Sequence, residues 1–200
     1  MDRTVAIARD LADAVISTPK GRARQMNAGA AAARGEILLF LHADTFLPPG
    51  GTVSVLDAMK DGALVGGAFR IRLIPSPCAG VYARTALRIT GRAINLRSLL
   101  TRSYTGDQVI FLRAETFRAC GGFPEIPLME DVELSRRMTR EGKTALLPHR
   151  VGSSGRRWER WGPARTILLM WRLRIGYLLG MTAAECAERY RRGPSFLTRR

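Results

Sequence analysis

A chain of 200 residues, 46% of them hydrophobic, can bury one substantial core and needs no second domain. Its 32 Lys and Arg outnumber its 17 Asp and Glu, and the resulting +15 is carried almost wholly by arginine. Such a charge suits nucleic acid, an anionic membrane surface or a phosphorylated substrate, and by itself does not choose among them. Cys78, Cys120 and Cys186 are odd in number and far apart, with no His at metal-ligand spacing, which excludes a disulfide scaffold and a zinc site and fits a reducing cytosol. Asp2, Arg3 and Asp10 stand where a signal peptide would be apolar, so none is expected. The longest apolar stretch, residues 166–181, is broken by Arg172 and Arg174 and falls short of the roughly 20 residues a spanning helix needs, so it suits lying on a membrane rather than crossing one.

In chain order, Asp2 can cap a helix carrying Val5, Ile7, Ala8, Leu11 and Ala12, and Ala14-Val15-Ile16 reads as a short strand before the Pro19-Lys20-Gly21 turn. An Ala-rich helix follows over residues 22–34, with Gly35 at its end as the residue type that best tolerates a left-handed cap. The apolar run Ile37-Leu38-Leu39-Phe40-Leu41 reads as a buried strand that leads straight into His42-Ala43-Asp44. After Pro48-Pro49-Gly50, residues 52–61 repeat Val53, Leu56 and Met59 at helical spacing, and residues 66–73 alternate like a half-exposed strand. A helix through Tyr82, Leu87 and Ile89, a polar loop at residues 103–107, a strand at 108–113 and a short helix at 114–119 come next. Gly121-Gly122-Phe123-Pro124 is a turn, Glu130-Asp131 opens an amphipathic helix ending at Gly142, and a basic amphipathic helix starts near Pro163. Alternating strand and helix patterns predict an α/β sandwich whose sheet is at least partly parallel.

Acidic residues just beyond a strand's carboxyl end sit where open α/β sheets place their ligands. Asp44 has no basic neighbour in residues 38–47, and carboxylate oxygens suit Mg²⁺ or Mn²⁺ held together with substrate phosphates; a turn or helix cap is the competing reading. Glu130 and Asp131 at a helix start can serve as caps or as an exposed base. Arg22, Arg24 and Gln25 in the first turn of a helix can hold phosphate oxygens or form a solvated face. Arg156-Arg157-Trp158-Glu159-Arg160-Trp161 suits diphosphate, nucleic acid or lipid headgroups equally.

Taken in order, four blocks resemble the family-two glycosyltransferases of the GT-A fold: residues 21–29, residues 35–45, Gly106-Asp107-Gln108 with Phe111-Leu112-Arg113, and Gly121-Gly122-Phe123 leading to residues 129–134. The likeness is nearest to a bacterial subgroup that writes the metal motif as His-Ala-Asp. It implies a three-layer α/β sandwich with a mostly parallel central sheet, a transferase domain over residues 1–150 and a basic helical extension over residues 151–200. It further implies a nucleotide-sugar donor, a divalent metal (Mn²⁺ or Mg²⁺) at Asp44, donor contacts from Arg22, Arg24, Gln25, Asn27, Arg157 and Trp158, and an acceptor side at Gly106 and Asp107. Asp131 would be the catalytic base with Glu130 beside it, in an inverting transfer. His42 stands at the first position of the family's Asp-x-Asp motif, and its share in the metal is left open.

The family begins with a strand, a helix and a second strand whose loops hold the nucleobase, and Asp2-Arg3-Thr4 resembles the segment just after them. The expectation is therefore an N-terminally truncated sheet, in a fragment, a partner-dependent chain or an inactive remnant. A lipid carrier or glycan acceptor, a cytoplasmic location and peripheral contact with the inner face of the plasma membrane complete the reading. A nucleic-acid partner is the weaker alternative, because the basic residues are spread over many helices without a recognised binding motif.

Overall fold

The computed structural model describes residues 3–194. Five strands form one sheet, in the order β1 (Ile37–Phe40), β4 (Ile110–Arg113), β3 (Leu64–Ile74), β5 (Lys143–Ser154) and β2 (Thr45–Phe46). Helices cover both faces. Strand alternation sends Leu38, Ala68, Ile110 and Leu112 to one side, where they meet Ala23 of α2 (Arg22–Ala32), Phe117 of α5 (Ala114–Ala119) and Leu134 and Met138 of α6 (Glu130–Glu141). Phe69, Ile71, Leu73, Phe111, Leu147 and Val151 point to the other side, against Val55 of α3 (Gly51–Ala58) and Leu87 of α4 (Val81–Thr101). This is the expected three-layer α/β arrangement. Each fully buried Leu, Ile or Phe contributes about 1.5–3 kcal/mol. Phe40, Phe117 and Phe123 stack with centroids 4.9–5.8 Å apart and fasten β1 to the α5 side.

The expected mostly parallel sheet needs correction. Of the four pairings only β3 with β5 is parallel; β1 with β4, β3 with β4 and β2 with β5 are antiparallel. Periodicity marks which segments are strands, but not their neighbours. The long α4 and a 3-10 turn at Gly106–Gln108 bring β4 back reversed between β1 and β3.

The second long strand, β5, is not among the expected elements, and it runs through Pro148. The sheet absorbs it as an irregularity: Phe69 pairs with Leu147 and Arg70 with Arg150, so Pro148 and His149 bulge out of register. Because β5 runs to Ser154, the division expected at residue 150 falls inside a strand, and the helical extension starts with α7 (Arg156–Trp161). It continues as α8 (Pro163–Leu178) and α9 (Ala183–Arg192), which pack around Leu169, Leu173 and Cys186 against Met129.

The amino-terminal region departs most from expectation. Helix α1 (Thr4–Arg9) buries none of its residues, and its expected cap Asp2 lies outside the described residues. Ala14-Val15-Ile16 is exposed and forms no strand, since no neighbouring strand among the described residues offers it a ladder. Helix α2 ends at Ala32 with Ala33 extended, three residues before the expected glycine cap.

Candidate active site

Gly21, at φ 157°, turns the chain into α2, whose first turn carries Arg22 and Gln25 toward a cleft of about 1010 Å³. The same cleft is lined by His42 and Asp44 after β1, Gly106 and Asp107 of the 3-10 turn, Asp131 of α6, and Arg157 and Trp158 of α7. Its size is at the upper end of the roughly 300–1,000 Å³ typical of ligand pockets. All four sequence blocks thus bring residues to one concavity.

Asp44 is placed by the backbone. Thr45 N–H donates to the His42 carbonyl (3.0 Å), and Ser154 N–H, at the end of β5, donates to the Asp44 carbonyl (3.2 Å). The Asp44 carboxylate is exposed, and among the described residues it makes no hydrogen bond or ion pair, so a capping role is not what holds it there. The His42 imidazole packs closely against Gly106. A Cβ at position 106 would overlap the imidazole, with Nε2 only 2.5 Å away, so only glycine lets the two loops meet.

Asp131 is pinned by two backbone amides. Its Oδ2 accepts the Gly106 N–H at 2.9 Å and its Oδ1 accepts the Val132 N–H at 2.7 Å, so two of the carboxylate's roughly four lone-pair directions remain for a substrate. Met129, at φ 73°, makes the left-handed turn that starts α6 in this direction, a strained conformation for a residue with a side chain. Ser135 locks the helix to the loop before the 3-10 turn: it accepts the Tyr104 N–H at 3.1 Å and its hydroxyl lies 3.0 Å from the Tyr104 carbonyl.

Gln108, fully buried, organises that turn. Its Oε1 accepts from Ser98 Oγ (2.9 Å) and Thr105 Oγ1 (3.1 Å), and its Nε2 donates to the Phe69 carbonyl (3.3 Å). Sequence reasoning placed Gln108 in the block without giving it a role; a glutamine following Gly-Asp in a capping box was the available signal.

Glu130 is only 2% exposed. Its Oε1 meets Arg22 Nε at 3.1 Å, while Oε2 is buried without a hydrogen-bond partner. Burial, reinforced by the neighbouring Asp131 charge, holds its carboxyl above the usual carboxylate range; Arg22, half exposed, pulls the other way and does not prevail. A raised folded-state value means the native protein holds this proton longer than the unfolded chain, so stability falls as pH rises through the folded value. Glu130→Gln removes that slope. Its melting temperature relative to the wild type is expected to climb as pH rises from about 4 toward neutrality, as followed by calorimetry, and a constant difference would show that Glu130 does not titrate this way.

Two residues expected on the donor side are employed elsewhere, and the assignment is corrected accordingly. Arg24 pairs with Glu125 at 2.7 Å on an exposed surface. Asn27 clamps the Gly-Gly turn, donating from Nδ2 to the Phe123 carbonyl (2.8 Å) and accepting the Phe123 N–H (2.9 Å). Neither lines the cleft. Conversely, the C-terminal helices supply cleft residues that were not singled out: Thr166, Met170, Leu173 and Arg174 of α8, and Tyr190 of α9, on whose ring the Arg157 guanidinium sits 5.2 Å from the centroid. Spacing of 166, 170, 173 and 174 along one helical face was the signal for the α8 set.

No group of three or more His, Cys, Asp and Glu gathers among the described residues to hold a metal unaided. The donor set does fit a cation of the Mg²⁺ or Mn²⁺ class held jointly with a ligand's phosphates, since such ions keep several waters and take only one or two carboxylates from the protein. Asp44, with an unengaged carboxylate in the cleft, would be that carboxylate. His42, packed against Gly106, lines the same cleft.

The family model described as Glycosyl transferase family 2 matches residues 1–113, more than half of the chain. The chain belongs to glycosyl transferase family 2. The match takes in α2, β1, Asp44, Gly106 and Asp107 and stops at the end of β4, before Asp131. No curated protein matches the chain.

Proposed function

We propose that this glycosyltransferase moves a sugar from a nucleoside-diphosphate donor to an acceptor hydroxyl with inversion at the anomeric carbon. The observation that carries the reading is that Asp44 and Asp131 line one cleft together with Arg22, Gln25 and Arg157. In this scheme Asp131 accepts the proton of the acceptor hydroxyl as its oxygen bonds to the anomeric carbon. The bond from that carbon to the diphosphate breaks on the opposite face, and the departing diphosphate keeps the electron pair. Arg22, Gln25 and Arg157 offer donors to its oxygens. A divalent cation at Asp44, when bound, would offset the charge that grows on the leaving group. The two amide donors on Asp131 fix its direction, so the carboxylate need not reorganise as the proton arrives.

The test is calorimetric titration of the full chain with uridine, guanosine, cytidine, adenosine and thymidine diphosphates, with and without Mn²⁺. Binding of at least one, tightened by Mn²⁺, is expected. If none binds under either condition, the donor reading fails.

Helix α8 also supports peripheral membrane contact near a lipid-linked acceptor. While Thr166, Met170, Leu173 and Arg174 face the cleft, Leu168, Trp171, Ile175 and Leu178 recur on the opposite side, with Trp171 58% and Leu178 78% exposed. Arg165 and Arg172 flank that face, and Leu96, Leu99 and Leu100 of the adjoining α4 are exposed too. A helix apolar on both sides and bordered by arginine suits the headgroup region of an anionic bilayer. No helix among the described residues is long and apolar enough to cross a membrane. Co-sedimentation with vesicles containing phosphatidylglycerol, and loss of it in Trp171→Glu, is the expected result; equal sedimentation of both forms would remove this face from the contact.

A further inference from the structure

Buried cations are paired in folded proteins because an unpaired one costs several kcal/mol of desolvation. Arg174 of α8 breaks that rule. It lines the cleft, its guanidinium is largely buried, and its Nη2 has no hydrogen-bond partner. No ion pair involves it among the described residues; Asp107 and Asp131 lie near enough to act on it through their charge but do not contact it. Behind it stands Arg97 of α4, also largely buried, which donates through Nη2 to Gln108 Oε1 (3.3 Å) and the Ser103 carbonyl (3.4 Å) while its Nε stays without an acceptor.

The two guanidinium groups repel each other. Burial, with the other's charge, pushes Arg97 down to about 10, and burial pushes Arg174 below its usual value as well. Evolution of a stable core alone would leave neither in this state, since an apolar residue of similar length at position 174 would spare the chain the desolvation cost. An anion that accepts directly from the Arg174 guanidinium would offset that cost, against some repulsion from Asp107 and Asp131. The position matters: Asp107 and Asp131 are the carboxylates whose charge reaches Arg174, whereas Arg22 is tied to Glu130 and Arg157 lies over the Tyr190 ring.

We propose that Arg174, with Arg97 in support, forms an oxyanion-binding subsite for a phosphate or carboxylate group carried by the acceptor. The proposal rests on the transferase reading above and narrows its acceptor to an anionic molecule. Arg174 would grip the anion through its free donors, and Arg97 would hold the local potential positive without touching it. The hydroxyl to be glycosylated would then be presented to Asp131 by a molecule anchored at its own charge.

The experiment uses the full chain with octyl phosphate, octanoate and the uncharged octyl β-glucoside as probes, in the presence of a nucleoside diphosphate and Mn²⁺. The wild type is expected to bind octyl phosphate or octanoate more tightly than the glucoside, and which of the two wins identifies the acceptor's anion. Arg174→Gln should weaken that binding about ten- to hundred-fold, as loss of a charge-assisted hydrogen bond does, and Arg174→Lys should restore part of it. Nucleoside diphosphate affinity should not change. Without any probe, Arg174→Met should melt no lower than the wild type, because no ion pair is lost. Failure of the wild type to prefer either anion over the glucoside would overturn the subsite, as would equal binding by Arg174→Gln. A lower melting temperature in Arg174→Met would make Arg174 a structural strut instead. Loss of nucleoside diphosphate binding in Arg174→Gln would assign the anion to the donor. Absence of nucleoside diphosphate binding in the wild type is a separate result and counts against the transferase reading itself.

Discussion

Asp131→Asn is expected to lower sugar transfer by about 10²- to 10⁴-fold, the usual contribution of a positioned general base, while nucleoside diphosphate binding is retained. The geometry explains why an isosteric change should be so damaging. Both carboxylate oxygens accept a backbone N–H, from Gly106 and from Val132, and an asparagine can offer only one acceptor oxygen to the pair. Its amide NH₂ must face the other donor, so one hydrogen bond is lost as well as the base, at a stability cost of about 1–3 kcal/mol. The rate measurement therefore needs a thermal melt beside it. Transfer at wild-type rate by a folded Asp131→Asn would remove this residue from proton abstraction.

The second large effect is expected from Asp44→Ala. Its carboxylate makes no hydrogen bond or ion pair among the described residues, so stability should change little, and the loss should appear only in the cation-dependent part of nucleotide binding. Since even the outer partners of metal ligands are worth about ten- to hundred-fold in metal affinity, a direct ligand should cost at least that much. Titration of the same nucleoside diphosphate with and without Mn²⁺ separates the terms: the wild type should show a metal enhancement and Asp44→Ala should not. An undiminished enhancement in the variant would place the cation elsewhere.

Much of this site was legible because its parts are local. A short apolar run followed by His-Ala-Asp, a Gly-Asp-Gln turn and an acidic helix start each carry their conformation in a few consecutive residues, and the structure brings all three to one cleft. What was not legible depends on contacts distant in sequence. Asn27 sits in a family block and looks like a ligand residue, but its amide is used on the Phe123 backbone 96 positions later. The reversal of β4 between β1 and β3, and the survival of β5 through Pro148, are decided by partners rather than by propensity. Arg174 read as an interruption of an apolar stretch; only the packing of α8 beside α4 shows that it is a largely buried charge near Asp107 and Asp131.

The placement of β5 has a consequence for how this chain can be divided. Along nearly its whole length β3 is bonded on one edge by β5, which itself separates β3 from β2 and ends at the amide holding the Asp44 carbonyl. Excision at Arg113, where the family match stops, would strip β5 from between β3 and β2 and release the Asp44 loop together with it. The smallest autonomous unit is therefore longer than the recognisable one, and truncation libraries should keep the chain at least through Ser154.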